Sequence, residues 1–239
     1  MLSNLNLKSE NYTDAVADQL CKRIQNREIS VGIIGLGYVG LPLAIRFSEE
    51  GFRTIGLDID TEKIDKLNRG ESYIRHIDLE KIINTVKNRF TATNKFNEIA
   101  NIDVILICVP TPLGPHNEPD LSFIHDTLDT IRPYLRENQL LILESTTYPG
   151  TTAEEIVPFV ESITTESQVP NSDSRFIIGE NFFIGYSPER EDPGNKHYST
   201  RTIPKVISGF TPNCLEITQT LYDQVVDTTV PVSSPRVAE

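Results

Sequence analysis

The stretch from Ile29 to Gly40 constrains this chain more than any other. Ile29 to Ile34 is a short, largely β-branched run, the mark of a strand buried on both faces. Gly35-Leu36-Gly37-Tyr38-Val39-Gly40 follows at once, and Val39, Leu43 and Phe47 then recur at helical spacing until Gly51. Gly-x-Gly-x-x-Gly alone is a weak pattern, but directly between a strand and a helix each glycine has a task. Gly35 permits the tight turn, Gly37 lets a pyrophosphate approach the backbone, and Gly40 lets helix and strand pack closely. The exposed N–H groups of the loop and the helix dipole then hold the anion. Eighteen residues beyond Gly40, at the end of a second strand over Arg53 to Leu57, stands Asp58. A carboxylate there accepts hydrogen bonds from a ribose 2′-hydroxyl and repels a 2′-phosphate, which points to NAD rather than NADP.

The rest of the chain keeps the same rhythm. Asp60 is an N-cap for a helix ending at Gly70, and Asp78 for one carrying Leu79, Ile82, Ile83 and Val86. Val104 to Val109 reads as a doubly buried strand, followed by a Pro/Gly-rich loop and a helix near Leu121 to Ile131. Leu140 to Leu143 is a strand, and Thr152-Ala153-Glu154-Glu155 has the spacing of a capping box. Thr164 to Arg175 is polar and unpatterned and reads as a mobile loop. Phe182 to Tyr186, Lys205 to Ser208 and Gln224 to Val230 read as strands, with a helix near Pro212 to Tyr222. Alternating strands and helices mean a doubly wound, Rossmann-like α/β fold with a mainly parallel sheet covered on both faces. Val16, Leu20 and Ile24, four apart, form a one-stripe helix ahead of it, so the domain reading is 1–28 a helical extension and 29–232 the nucleotide-binding domain.

Composition narrows the function classes. In 239 residues, 34 acidic side chains outnumber 22 basic ones, for a net charge of −12. That argues against a nucleic-acid or anionic-membrane surface, which needs clustered Lys and Arg. The longest apolar run is six residues, Val104 to Val109, against about 20 for a membrane helix. Cys21, Cys108 and Cys214 are odd in number and far apart, so they read as free thiols of a cytoplasmic protein. His76, His116, His125 and His197 lack ligand spacing, and no metal is expected.

Further segments follow the glycine loop in order: Cys108-Val109-Pro110-Thr111-Pro112-Leu113, Glu144-Ser145-Thr146-Thr147-Tyr148-Pro149-Gly150-Thr151, and Tyr186-Ser187-Pro188-Glu189-Arg190-Glu191-Asp192-Pro193-Gly194-Asn195. Together they resemble the UDP-glucose/GDP-mannose dehydrogenase family, whose members oxidise the C6 hydroxyl of a nucleotide sugar to a carboxylate. Ser72-Tyr73-Ile74-Arg75-His76-Ile77 and Arg201-Thr202-Ile203-Pro204-Lys205-Val206 bring the resemblance nearest to the UDP-N-acetylglucosamine 6-dehydrogenases of surface-polysaccharide pathways.

The resemblance implies two hydride transfers to two NAD, with a cysteine capturing the intermediate aldehyde and water hydrolysing the resulting thioester. Matched position by position, the glycine loop and Asp58 hold the cofactor, and Lys63 falls where the family places a cation near the adenosine. A solvated helix-face lysine is an equal reading of Lys63. Val109, Pro110, Thr111, Ser145 and Thr146 match residues lining the cofactor, and Thr146 also the threonine that helps hold the catalytic water. Glu189 matches the glutamate implicated as general base or water-orienting group, a task that suits a carboxylate. The family's central helix, cysteine loop and UDP-binding domain have no counterpart in these residues, 233–239 being the start of the linker towards them. None of the three cysteines lies in a motif that marks a nucleophile. The chain is therefore expected to bind NAD without turning over a UDP-sugar, the full-length protein being a homo-oligomer. UDP-glucose and UDP-N-acetylmannosamine stay open as substrates, and a non-catalytic NAD-binding module as another class of function.

Overall fold

A computed structural model describes residues 3–74, 77, 89–114, 116, 118–166, 173–189 and 199–239. Its centre is an eight-stranded sheet of β1 (Ser30–Ile34), β2 (Arg53–Leu57), β3 (Phe90–Thr93), β4 (Val104–Ile107), β5 (Leu140–Leu143), β8 (Phe183–Tyr186), β9 (Lys205–Gly209) and β10 (Thr229–Pro231). The strands lie in the order β10-β9-β8-β5-β4-β1-β2-β3. Every pairing is parallel except β8 with β9, where Gly185 faces Gly209 and Tyr186 faces Ser208. The chain moves from β1 outward to β3, then returns to the other side of β1 as β4. That reversal is the switch point where open α/β sheets bind ligands, beyond the carboxyl ends of the strands.

The helices follow from the caps. Gly51 and Gly70 take left-handed φ values of 91° and 77° behind α2 (Gly40–Glu49) and α3 (Thr61–Asn68). The Asp60 carboxylate accepts the N–H groups of Glu62 and Lys63, as its place before α3 predicts. Thr211 caps α6 (Pro212–Tyr222) through the Cys214 N–H. Helix α1 (Ser3–Gln25) is longer than its stripe implied, and Ala17, Leu20 and Ile24 join the same core as the sheet. Phe47 of α2 packs on Tyr222 of α6, and Arg27, just beyond α1, donates to Gln224. These three helices share one face. Since the crossovers through α2 and through α4 (Ser122–Ile131) leave the centre in opposite directions, right-handedness puts α4 on the other face.

Several expectations need correction. Thr152 begins no capping box: Thr152–Ile156 is a single π turn leading into α5 (Val157–Glu161), and the Thr152 hydroxyl is buried without a partner among the described residues. A distant acceptor has taken the cap's place, for the Glu239 carboxylate accepts the N–H groups of Gly150 (2.5 Å) and Thr152 (2.8 Å). The expected loop over 164–175 contains a hairpin, β6 (Thr164–Glu166) with β7 (Asp173–Arg175), whose polar residues carry no alternation to reveal it. Gln224 to Asp227 are turn residues, so only the end of the expected last strand pairs. Strand β4 stops at Ile107, and β3 went unread because Phe90-Thr91-Ala92-Thr93 sits half-exposed at the sheet's edge. The helix expected after Asp78, Arg75, His76, His197 and the loop from Arg190 to Asn195 lie outside the described residues.

Candidate cofactor site

A cleft of about 660 Å³ opens beyond the carboxyl ends of β1, β2, β4 and β5. Twelve of the residues singled out above line it: Gly35, Gly37, Tyr38, Val39, Asp58, Lys63, Val109, Pro110, Thr111, Ser145, Thr146 and Glu189. Leu36 and Gly40 do not. Leu36 is fully buried beneath the loop, and Gly40 is the packing contact, since a Cβ there would collide with the Gly35 carbonyl oxygen.

The turn is built as its glycines demand. Gly35 has φ 91°, and a Cβ on it would come within 2.6 Å of the Cys108 carbonyl oxygen, where β4 runs alongside. A Cβ on Gly37 would meet nothing within 4 Å, so its bare backbone serves the open cleft rather than internal packing. The helical turn closes from Gly37, whose carbonyl accepts the Leu41 N–H at 3.1 Å. The preceding N–H groups, lacking internal partners by helix geometry, border the cleft.

Asp58 is 6% exposed and far from solvated. One carboxylate oxygen accepts the Leu36 N–H (2.8 Å), the other the Asp60 N–H (2.9 Å), and Lys63 Nζ stands 3.4 Å away. The acid thereby ties β2 to the glycine loop. Tyr73 straps the same loop by donating its hydroxyl to the Leu36 carbonyl. Burial and the charges of Asp58 and Asp60 push its phenol well up, so it stays protonated as a donor.

The other end of the cleft is equally tied down. Thr111 Oγ1 donates to the Thr146 carbonyl (2.5 Å), Ser145 Oγ to the Val109 carbonyl (2.8 Å), and the Tyr186 hydroxyl to the Ser145 carbonyl (3.1 Å). The turns after β4 and β5 are thus cross-linked, and Glu189, after β8, borders them half-exposed. Cys108 lies just past β4 rather than inside it and also lines the cleft. Burial, followed by the charge of Glu144, pushes its thiol well above the usual value, which keeps it from being a nucleophilic thiolate.

Sequence reasoning missed one wall. Phe123, Asp126, Thr127 and Thr130 of α4 line the cleft, as do Ile59 and Phe96. Their spacing of three, four and seven is a second helical stripe beside the core stripe Ile124, Leu128 and Ile131. Glu144 was also missed as a site residue. The lining carries five carboxylates (Asp58, Asp60, Asp126, Glu144 and Glu189) against Lys63 as the one cation among the described residues. A bound pyrophosphate would therefore rely on backbone N–H groups and the dipole of α2.

Residues 29–226 match the family described as the UDP-glucose/GDP-mannose dehydrogenase family, NAD binding domain. The chain belongs to this family. Its cofactor is NAD. Protein CapL of Staphylococcus aureus is 38% identical over 90% of this chain and 47% of its own length. A UDP-N-acetyl-D-glucosamine 6-dehydrogenase of Pseudomonas aeruginosa is 36% identical over 89% of this chain and 48% of its own. The solved structure of the UDP-N-acetyl-mannosamine dehydrogenase Cap5O from Staphylococcus aureus superposes with a TM-score of 0.77 at 29% identity, covering 88% of this chain and 48% of that one. The chain spans about half the length of these three proteins. Among the described residues, no helix is long and apolar enough to cross a membrane.

Proposed function

We propose that this chain is the NAD-binding half of a cytoplasmic UDP-sugar 6-dehydrogenase acting in surface-polysaccharide synthesis, with UDP-N-acetylglucosamine as substrate. The observation that carries the reading is the single cleft in which the glycine loop and Asp58 stand at one end and Thr146 and Glu189 at the other. NAD laid along it puts the adenosine ribose at Asp58, the pyrophosphate on the N-terminus of α2 and the nicotinamide beside the turns after β4 and β5. Val109, Pro110, Thr111 and Ser145 shape that nicotinamide end. Thr146 supplies a hydroxyl able both to donate and to accept towards the water that hydrolyses the thioester, and Glu189 orients or deprotonates the attacking group. Lys63 stands beside Asp58 at the adenosine end. The nucleophilic cysteine, the UDP pocket and the homo-oligomer interface belong to the other half of such a protein.

UDP-N-acetylmannosamine is the second reading, favoured by the dehydrogenase of that name whose solved structure superposes on this chain. NADH formation by the full-length protein, measured with UDP-N-acetylglucosamine, UDP-N-acetylmannosamine and UDP-glucose, separates them. Preference for the first is expected, and preference for UDP-glucose contradicts both. The 239-residue chain alone is expected to bind NAD and form no NADH with any of the three.

A further inference from the structure

At the reaction end of the cleft lies a buried charged cluster with no part in the function above. Glu144 follows β5 directly, with its side chain 1% exposed. Lys205 Nζ donates to one of its carboxylate oxygens and the Tyr222 hydroxyl to the other. The ammonium also sits 5.5 Å from the centroid of the Tyr222 ring. Topology brings the lysine there. Because β9 runs antiparallel to β8, its first residue, Lys205, reaches the edge where β4, β5 and β8 end.

A buried ion pair contributes little net stability over well-packed apolar residues, because desolvation of both charges offsets their attraction. Stability is thus a weak reason for the cluster. Its orientation is more informative. The cleft reaches Glu144 but neither Lys205 nor Tyr222, so the acidic member is nearest the ligand and its partners stand behind it. Glu144 shares that end with Cys108, Ser145 and Thr146, away from Asp58. Burial, reinforced by Glu144's charge, pushes the Tyr222 phenol well up, which keeps Tyr222 a donor to the carboxylate.

We propose that Glu144, oriented by Lys205 and Tyr222, is a specificity-determining residue that makes the cleft discriminate between the oxidised and the reduced nicotinamide. The inference rests on the placement of NAD given above. The nicotinamide ring is cationic in NAD+ and neutral in NADH, and only the cation interacts strongly with a carboxylate in a site of low dielectric. Glu144 is the member of the pair nearer to that ring, so its charge is felt there through the wall of the cleft more strongly than that of Lys205. It holds the substrate form of the cofactor and releases the product form, which an enzyme exchanging cofactor between two oxidations requires.

The test is a fluorescence titration with NADH and its displacement by NAD+, giving both dissociation constants for the 239-residue chain. In Glu144→Gln the preference for NAD+ over NADH is expected to fall about fivefold, with the NADH constant changed less than about twofold. A packing role alone would weaken both forms together and leave the ratio intact. Should Glu144→Gln fail to fold with Lys205 left unpaired, Glu144→Gln/Lys205→Met removes both charges and is expected to shift the ratio the same way. Tyr222→Phe keeps the ion pair and is expected to keep most of the preference. An unchanged ratio in a folded variant lacking the Glu144 charge overturns the proposal alone. A folded wild-type chain that binds neither form overturns the placement of NAD, and this proposal with it.

Discussion

The two edges of the sheet each hold a buried aspartate, and they treat it differently. At the amino edge, Asp103 accepts the Ser30 N–H (2.9 Å) and hydroxyl (3.2 Å) and pairs with Arg136 (3.0 Å) and Arg23 (3.1 Å). Those guanidinium groups also donate to carbonyls of Glu28, Ala100 and Ile102, so the charges there serve the chain's own loop ends. At the carboxyl edge, Asp58 holds two N–H groups and one cation at 3.4 Å, beside a helix N-terminus whose donors face an open cleft. A saturated polar network stabilises; one with spare capacity next to a cavity binds. A hollow borders the amino edge too, lined by Arg23, Ser30, Asp103 and Arg136, but its charges are already paired with one another, so we propose fold as the task of that edge and ligand binding as the task of the other.

Breaking the amino edge is expected to have the largest effect. Asp103→Ala strips the acceptor from the buried Ser30 N–H and hydroxyl and the carboxylate from two half-exposed arginines, and should cost about 3 kcal/mol in urea unfolding, with NAD affinity of the remaining folded chain unchanged. The carboxyl edge should respond the other way. Gly37→Val adds a Cβ that meets no described residue within 4 Å, so the melting temperature should hold while calorimetry shows NAD affinity reduced by about 100-fold or more. Asp58→Asn is milder: it removes the charge that repels a 2′-phosphate, and the NAD-over-NADP ratio should fall about tenfold.

The smallest effect is on pH dependence. Burial raises the Asp103 carboxyl, but the Ser30 N–H, Arg136 and Arg23 outweigh it and hold it below its ordinary value. A depressed carboxylate contributes stability above its unfolded pKa of about 3.9, and the contribution is lost as pH falls through the folded value. Wild-type stability should therefore decline more steeply below about pH 4 than that of Asp103→Asn, as acid titration by circular dichroism would record.

Legibility in the sequence followed the same divide. The glycine loop, Asp58 and the central strands could be read because local physics demands them: β-branched runs for buried strands, bare backbone at Gly35 and Gly37, a carboxylate at a strand end. Thr111, Thr146 and Glu189 were legible only as a set of motifs in order, since a hydroxyl or carboxylate in a turn carries no local signature. What escaped depends on pairs distant in the chain. Glu239 replaces a local cap at Gly150 and Thr152, and Lys205 meets Glu144 because one strand runs backwards. The α4 wall hid behind a stronger core stripe, and β3 and the β6–β7 hairpin lacked the alternation that marks a half-buried strand.

We propose above all that the cleft at the carboxyl edge holds NAD through the glycine loop. Calorimetric titration of NAD into the wild-type chain and into Gly37→Val, each with a thermal melt, tests it directly. One-to-one binding that raises the wild-type melting temperature is expected, with no such rise in a Gly37→Val chain that melts where the unliganded wild type does. Equal binding by the two chains, or none by a folded wild type, would contradict it.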